Sequence, residues 1–524
     1  MIFDPLQITV MANAFAMIAE EMGTLLVRGA LSPNIRERRD ASAALFDADG
    51  RMVAQAAHIP VHLGAMPESV RAVRDSGPRP GDVFLLNDPY LGGSHLPDLT
   101  LVQAIAQNRG RRIAGYAAVR AHHADVGGMS PGSMPQGATE LVQEGIVIPP
   151  VRLVREGRLD DELFRFVLAN VRTPEERRGD IRAQLAACEA GARGWTALMK
   201  HEGARRIAAA SDAVLEYTGR LARARVLKLG KIQGRAVDAL EGDGVSLRDV
   251  PVVVDISTRP GGVLRVDLTG SSPIVPGNVN CPASVTRAAA VFVLRTLMED
   301  DVPTNDGIAQ ALDLVVPESS AVNARWPAAV AAGNVEMSQR ITDTIFAALA
   351  HAGVAVPAQG QGTMNNVTFG GRGWTFYETL GGGQGASVRG PGPSGVHVGM
   401  SNTLNTPVES LENAYPLRIE EYSLRAGSGG AGQHRGGDGV RRVYRAIEPC
   451  TVTLLTERRR HAPRGAQGGS DGAPGRNALD DRELPAKCRE TLEPGSVLVV
   501  ETPGGGGYGK ADMKADMKAD IKAV

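Results

Sequence analysis

The sequence predicts a multidomain α+β protein: mixed and antiparallel sheets, a long helical pair in the first half, and a glycine-rich, strand-rich C-terminal half. Three observations lead there. Between residues 41 and 119, short apolar runs alternate with turn signals such as Asp47-Ala48-Asp49-Gly50, the pattern of hairpin-linked strands. From Thr173 to about Lys228 the apolar period lengthens to that of helices. After Gly360, clusters of glycine punctuate short strand-like runs.

Taken in order, residues 5–30 carry a helical stripe (Leu6, Val10, Phe15, Ile18, Met22, Leu25, Leu26) stopped by Ser32-Pro33-Asn34. Residues 41–46 and 52–56 read as a strand pair around the 47–50 turn. Gly81-Asp82 opens a strand over 83–86 that ends at Asn87-Asp88-Pro89-Tyr90, and strands over 99–106 and 113–119 are joined by Gln107-Asn108-Arg109-Gly110. Thr173-Pro174-Glu175-Glu176 reads as a helix start, with Thr173 as N-cap, proline at the first helical position and acids in the first turn. A break near Glu202-Gly203 divides the stretch into two long helices, expected to pack as an antiparallel pair. Strands return over 251–270 and 311–317, and a helix is expected over 338–352. The regions that follow are an N-terminal α+β region (1–240), a central α/β region (241–350), a glycine-rich β region (351–509) and a repetitive tail (510–524). In the tail's KADM repeat, Lys and Asp fall on opposite helix faces, so no i,i+4 pair supports a helix and a frayed tail is expected.

Composition excludes several classes. With 57 Lys+Arg against 58 Asp+Glu, the chain lacks the basic footprint of a nucleic-acid or anionic-membrane binder. A hydrophobic share of 43% excludes intrinsic disorder. The 63 Gly and 32 Pro in 524 residues exceed the usual share of about 12% and mark turns in a folded protein. Cys188, Cys281, Cys450 and Cys488 are too few and too scattered to form a disulfide framework, which points to a reducing cytoplasm. The first residues carry Asp4 and no base, unlike a signal peptide. No uninterrupted apolar run approaches the ~18 residues of a membrane span. A cytoplasmic protein is expected, with neither nucleic acid nor membrane as partner.

Chemically able residues are densest between Asn87 and Glu144, and five of the ten histidines fall between His58 and His123. His95 and Asp98 precede the outgoing strand of a hairpin, while His122 and His123 follow the returning one. Antiparallel pairing therefore brings His95, Asp98, His122 or His123, and Asp125 to one end of a sheet. Asp40, before the first strand, and Asn87-Asp88, after the 83–86 strand, point to the same end. Imidazole with carboxylate suits Zn, Mn or Fe. Asp98 and Asp125 are alternatively partners that fix the tautomer of a ligating imidazole. His58 and His62, alone in their segments, read as hydrogen-bonded core or loop residues. No G-x-x-x-x-G-K-[ST] phosphate loop is present, and Gly427-Ser428-Gly429-Gly430-Ala431-Gly432 lacks the helix that a dinucleotide site needs. Nucleotide chemistry must be supplied elsewhere.

The runs NDPYLGGSHLPDLTLV, AHHADVGGMSPGS and EGIVIPP resemble the hydantoinase B/oxoprolinase family. The resemblance begins in RRDASAALFDADGRMVAQAAHIPVHLGAMPES, continues through PGNVN, GGGQGA and NTPVESLENAYPLRIEEYSLRAGSGGAGQHRGGDGVRRVYR, and closes on TPGGGGYG. It spans about Asp4 to Gly509. The resemblance implies one component of a hetero-oligomer with a hydantoinase A-type ATPase, which uses the ATP. The small-molecule substrate it implies is a hydantoin, 5-oxoproline or lactam ring to be opened. It also implies metal ligands Asp40, His95 and His122, with Asp98 coordinating or beside them. His122 is preferred over His123 because relatives can carry an aromatic residue at the second histidine.

Under that reading Asp125 and Glu144 are, by position, the candidates for general base. Arg120, His123 and Asn87 are the candidates for substrate contact. The glycine runs 381–385 and 427–439 offer backbone N–H groups to an oxyanion or phosphate. Ending soon after Gly509, the chain is expected to be a stand-alone hydantoinase B-type component. The alternatives are a component of an ATP-dependent ketone carboxylase of the acetone or acetophenone type, and a non-catalytic scaffold for the ATPase.

Overall fold

The computed structural model of the chain describes residues 3–57, 59–107 and 112–511. Residues 108–110 of the expected turn, His58 and residues 512–524 of the tail lie outside the described residues. Helix α1 (Pro5–Gly29) starts at a reciprocal cap: Asp4 accepts the Gln7 N–H at 2.8 Å, and the Gln7 side chain accepts the Asp4 N–H. Its buried face is Ile8, Met11, Phe15, Ala19, Met22 and Leu26, whereas Leu6, Val10 and Leu25 of the expected stripe are exposed. By length and composition α1 is apolar enough to cross a bilayer, although scattered Gln, Thr, Asn and Glu interrupt its apolar run. A single turn, α2 (Pro33–Arg36), follows.

The first sheet holds β1 (Ala41–Asp47), β2 (Met52–Ala57), β3 (Val83–Leu86), β4 (Asp98–Ala106), β5 (Ile113–His122), β6 (Val151–Arg155) and β7 (Arg158–Leu159). Its order is β2-β1-β5-β4-β3-β6-β7 and every pairing is antiparallel. Period-two alternation sends Ala43, Leu45, Leu99, Leu101, Ala117 and Val119 to the core under α1. The other face carries Ala44, Phe46, Val102 and Ala118 against Val70 and Val73 of α3 (Met66–Asp75). Continuing that second face to the sheet's end places Ser42, Asp98, Thr100, Arg120 and His122 together. The cluster of candidate residues is therefore the polar end of an otherwise apolar face.

After α4 (Asp161–Ala169) come the two long helices, α5 (Pro174–Glu202) and α6 (Ala204–Lys228). Two expectations change here. Thr173 makes no side-chain cap bond; its hydroxyl accepts from Arg177 NH1 at 2.9 Å instead. Nor do α5 and α6 pack along their length: α5 lies on α1, β4 and β5, and α6 runs on to the turn at Ile308–Ala311. Gly203 (φ 88°, ψ 136°) sets that divergence.

The second sheet is β11-β10-β9-β8, built from β8 (Gln233–Leu240), β9 (Val250–Arg259), β10 (Val263–Asp267) and β11 (Leu312–Val315). It is mixed, since β10 and β11 run parallel. Because β8 pairs with β9 across residue 240, the change of layer falls between Lys228 and Gln233. Helices α7 (Ala283–Thr296) and α8 (Ser338–His351) pack on each other, and α8 also covers β8 and β9. The last region is two antiparallel sheets flanking α9 (Val408–Ala414). One is β13-β12-β16-β19, made of β12 (Asn366–Gly371), β13 (Trp374–Thr379), β16 (Cys450–Leu455) and β19 (Lys487–Leu492). The other is β14-β15-β20-β17-β18, made of β14 (Leu417–Arg425), β15 (Gly439–Ala446), β17 (Arg476–Leu479), β18 (Arg482–Leu484) and β20 (Val497–Glu501). All four cysteines are buried and free.

Several N–H groups of the glycine runs are bonded within the fold instead of being free for a ligand. The Gly383 N–H goes to Pro503 O, Gly505 N–H to Gly437 O and Gly430 N–H to Gly505 O, each at 2.8–2.9 Å. A Cβ on Gly383 would sit 2.0 Å from Gly437 O, and one on Gly505 2.1 Å from Gln384 O. Glycine is required because backbone packs directly on backbone. These N–H groups are already satisfied, which removes them from oxyanion binding.

Candidate metal centre

Asp98 opens β4 and His122 closes β5, directly opposite each other in the ladder. His95 reaches the same point from the turn before β4. Its Nε2 lies 3.2 Å from Asp98 Oδ1 and 3.2 Å from His122 Nδ1, and His122 Nδ1 lies 3.4 Å from Asp98 Oδ1. All three side chains are buried. Asp98 Oδ1 has no aligned hydrogen bond despite these two neighbours, while His95 Nε2 and His122 Nδ1 lie within hydrogen-bond distance of each other. Ligand atoms about 2.1 Å from a cation are spaced roughly 3.0–3.4 Å apart, the spacing found here.

The surroundings fix each group. His95 Nδ1 donates to Ala331 O at 3.1 Å, which leaves Nε2 its lone pair. Asp98 Oδ2 accepts from Ser94 Oγ and, at 3.4 Å, from Asn334 Nδ2. His122 stacks on Tyr377 of β13 with ring centroids 4.5 Å apart, and its carbonyl accepts from Asn34 Nδ2 at 2.8 Å. Arg38 then lies over the other part of this layer, 4.9 Å from the Tyr377 ring centroid. Burial disfavours the charged forms throughout, but the balance differs by group. His95 is raised because Asp98 outweighs its burial, His122 is lowered by burial, and Asp98 is held well below the carboxylate range by His95 and His62 despite burial. Two imidazoles and a carboxylate offering ligand atoms to one buried point make a group that could hold a divalent cation.

Of the other residues expected at this site, several are elsewhere. Asp40 lies beside the trio, not within it. Its carbonyl accepts the His122 N–H at 3.0 Å, and its charge favours the protonated forms of His95 and His122. His123 points to the opposite face of the sheet, where Nε2 meets Gln184 of α5 at 2.9 Å; burial and Arg177 lower it to about 4. Adjacent strand residues alternate, so His122 and His123 cannot share a site. Asp125 is used up by its own loop, accepting from the N–H groups of Gly127, Gly132 and Arg172 and pairing with Arg172 NH1 at 3.0 Å. Asn87 ties loops together through Leu96 O, Ile146 O and the Ile148 N–H. Arg120 is fully buried and braces β4, β5 and α3 by donating to Thr100, Ser69 and Gly92 O, while its NH1 has no partner. Glu144 is not free as a base either: its carboxylate accepts the Val330 and Ala331 N–H groups at 2.8–3.1 Å. Ala331 is the residue whose carbonyl holds His95. Glu144 thus positions His95 through one backbone segment.

Four contributors are not legible in the sequence. His62 is fully buried, with Nδ1 3.0 Å from Ser42 Oγ and Nε2 3.5 Å from Asp98 Oδ2. Its place in a turn (Pro60–His62) gives no sign of this; only the polar end of the sheet face above it does. Tyr377 arrives from a strand more than 250 residues away in sequence. Asn334 and Glu336 sit on a π-helical turn, Gly333–Met337, a local widening often found at functional sites. A Cβ on Gly333 would lie 1.8 Å from Asn280 O, so only glycine permits this turn.

Glu336 accepts from Thr363 Oγ1, the Met364 N–H and Asn366 Nδ2, and Asn366 in turn accepts from Tyr377 OH. Burial and Glu457 push Glu336 up to about 8, against Lys487 and these bonds. A carboxyl near 4.5 when unfolded and about 8 when folded keeps an extra proton in the folded chain across that window. Its contribution to stability therefore falls as pH rises from about 4.5 to 8 and is flat above. Glu336→Gln is expected to flatten this decline by up to about 1.4 kcal/mol per pH unit, read from urea unfolding midpoints at pH 5 to 8.

The sequence profile of the hydantoinase B/oxoprolinase family matches residues 4–511. The chain belongs to this family. It is 37% identical to 5-oxoprolinase 1 of Arabidopsis thaliana over 97% of its own length, and it spans 42% of that longer protein. It is 28% identical to the B-type component of a putative D-/L-hydantoinase from Pseudomonas sp. strain NS671, covering 97% of this chain and 90% of that one. The ATP-dependent caprolactamase of Pseudomonas jessenii has the same fold, with a TM-score of 0.90 and 25% identity over 99% of this chain and 94% of that chain. The multidomain α+β architecture is thus that of the family.

Proposed function

We propose that this chain is the metal-binding subunit of an ATP-dependent cyclic-amide hydrolase. It works with a hydantoinase A-type ATPase subunit on a hydantoin, 5-oxoproline or lactam ring. The convergence of His95 Nε2, His122 Nδ1 and Asp98 Oδ1 on one buried point carries the reading. The names of its relatives, 5-oxoprolinase, hydantoinase and caprolactamase, share one bond type, an amide C–N inside a ring. A Zn, Mn or Fe ion held there would supply Lewis acidity toward water or a carbonyl oxygen. The chain's own residues orient and exclude water: Ala331 O fixes the His95 tautomer, Ser94 and Asn334 hold Asp98, and the Tyr377 ring covers His122. A ring amide is a poor electrophile, and phosphorylation of its oxygen by the ATPase makes C–N cleavage feasible. The missing phosphate loop supports a partner that handles the nucleotide.

The test is reconstitution with a hydantoinase A-type ATPase, followed by ATP-dependent opening of 5-oxoproline, hydantoin and caprolactam beside fixation of ¹⁴C-bicarbonate. Ring opening coupled to ATP use is expected. Label in a ketone-derived acid, with no ring opened, would replace hydrolysis by carboxylation.

His62 provides an independent check on the metal. Because it steadies the second oxygen of Asp98, His62→Ala is expected to weaken metal binding about 10–100-fold in chelator competition, with His62→Gln intermediate. Unchanged affinity in both variants would confine His62 to packing.

A further inference from the structure

A second cavity, apart from the trio, lies where α8, the end of α7 and the glycine-rich loops meet, and encloses about 570 Å³. Its wall is partly apolar, with Phe292, Leu297, Phe346, Val356 and Val398. Three arginines also line it: half-buried Arg225 from α6, and exposed Arg389 and Arg464 from the loops after the 381–385 glycine run and after β16. None of these three side chains has an ion pair or hydrogen-bond partner among the described residues, and the Arg225 Nε is buried. The single carboxylate of the lining, Asp343, is already engaged, 2.7 Å from Arg458 NH2 and 4.0 Å from Arg340 NH1. His351 of the lining is likewise committed, its Nδ1 donating to Arg235 O at 2.7 Å.

Three arginines without a carboxylate partner give the rim of this cavity a positive potential that favours an anion. A guanidinium fork matches a phosphate or carboxylate in shape as well as charge. The volume lies inside the range of about 300–1,000 Å³ typical of small-molecule sites. We propose that this cavity binds a small organic anion, with a phosphate or carboxylate held by Arg225, Arg389 and Arg464 and an apolar or aromatic body lying on Phe292 and Phe346. Neither the trio nor ring opening is needed for this binding.

Calorimetric titration of the full chain with phenyl phosphate, benzoate and inorganic phosphate tests it. Saturable binding of phenyl phosphate or benzoate is expected, at least about tenfold tighter than inorganic phosphate, and the better of the two identifies the anion. The Arg389→Ala/Arg464→Ala double variant, which alters only exposed loop residues, is expected to weaken that binding at least about tenfold. Phe346→Ala is expected to weaken the aromatic anion while leaving inorganic phosphate unchanged. Absence of saturable binding by both aromatic anions, or binding that the arginine double variant leaves intact, overturns the proposal.

Discussion

His95→Ala is expected to strip the reconstituted enzyme of both its metal and its turnover. Even the outer partners of ligating histidines are worth about 10–100-fold, so loss of a ligand is expected to cost more than about a hundredfold in kcat/KM. The substitution removes one of three converging donors and leaves Asp98 facing a single imidazole of the trio. Metal content by elemental analysis should fall in parallel. His95→Gln, which keeps more of the buried volume, separates this effect from misfolding: it should unfold near the wild-type temperature and still lack metal. A variant with wild-type turnover and full metal content would refute the proposed centre.

Arg340→Met is expected to have the largest effect on stability. Arg340 is fully buried on α8 and joins Asp238 of β8 at 3.2 Å to Glu457, after β16, at 3.3 Å. Arg458 shares Asp238 at 2.9 Å, and Lys487 of β19 meets Glu457. The network fastens the second sheet to the glycine-rich region. Asp238 is held well below the carboxylate range because Arg340 and Arg458 outweigh its burial. Stranding one partner of a buried pair costs about 3–5 kcal/mol, and because Arg458 and Lys487 still face Asp238 and Glu457, a loss near the lower end of that range is expected. Chemical denaturation should show a lower midpoint, whereas Arg435→Met, at a half-exposed pair with Asp438, should change little.

Local sequence goes far where spacing and structure are the same thing. The α1 boundaries, the β1–β2 turn, the β4–β5 hairpin and the break at Gly203 are all set by residues within a few positions of each other. The pairing of Asp98 with His122 is legible for the same reason, since a hairpin fixes its own register. Long-range partners are not legible. Arg120, Asn87, His123, Asp125 and Glu144 lie close in sequence to the metal candidates and have the right chemistry, yet each is claimed by a neighbour the sequence does not reveal: Ser69, Ile148, Gln184, Arg172 and Ala331. His62, alone in its segment, is drawn in because β1 carries Ser42 to the same face as Asp98.

The sequence by itself determined the family, the alternation of short strands with long helices, and the hairpin that sets Asp98 opposite His122. Each depends on periodicity, turn chemistry or ordered motifs, which act over short stretches of chain. Only the tertiary structure decided which neighbouring polar groups serve the trio and which serve the fold. It also decided that the glycine runs pack on each other, and that Tyr377 and Asn334 close the site from distant elements. A buried polar group must be satisfied by whatever packing brings to it, and that partner is set by how sheets and helices stack, not by distance along the chain.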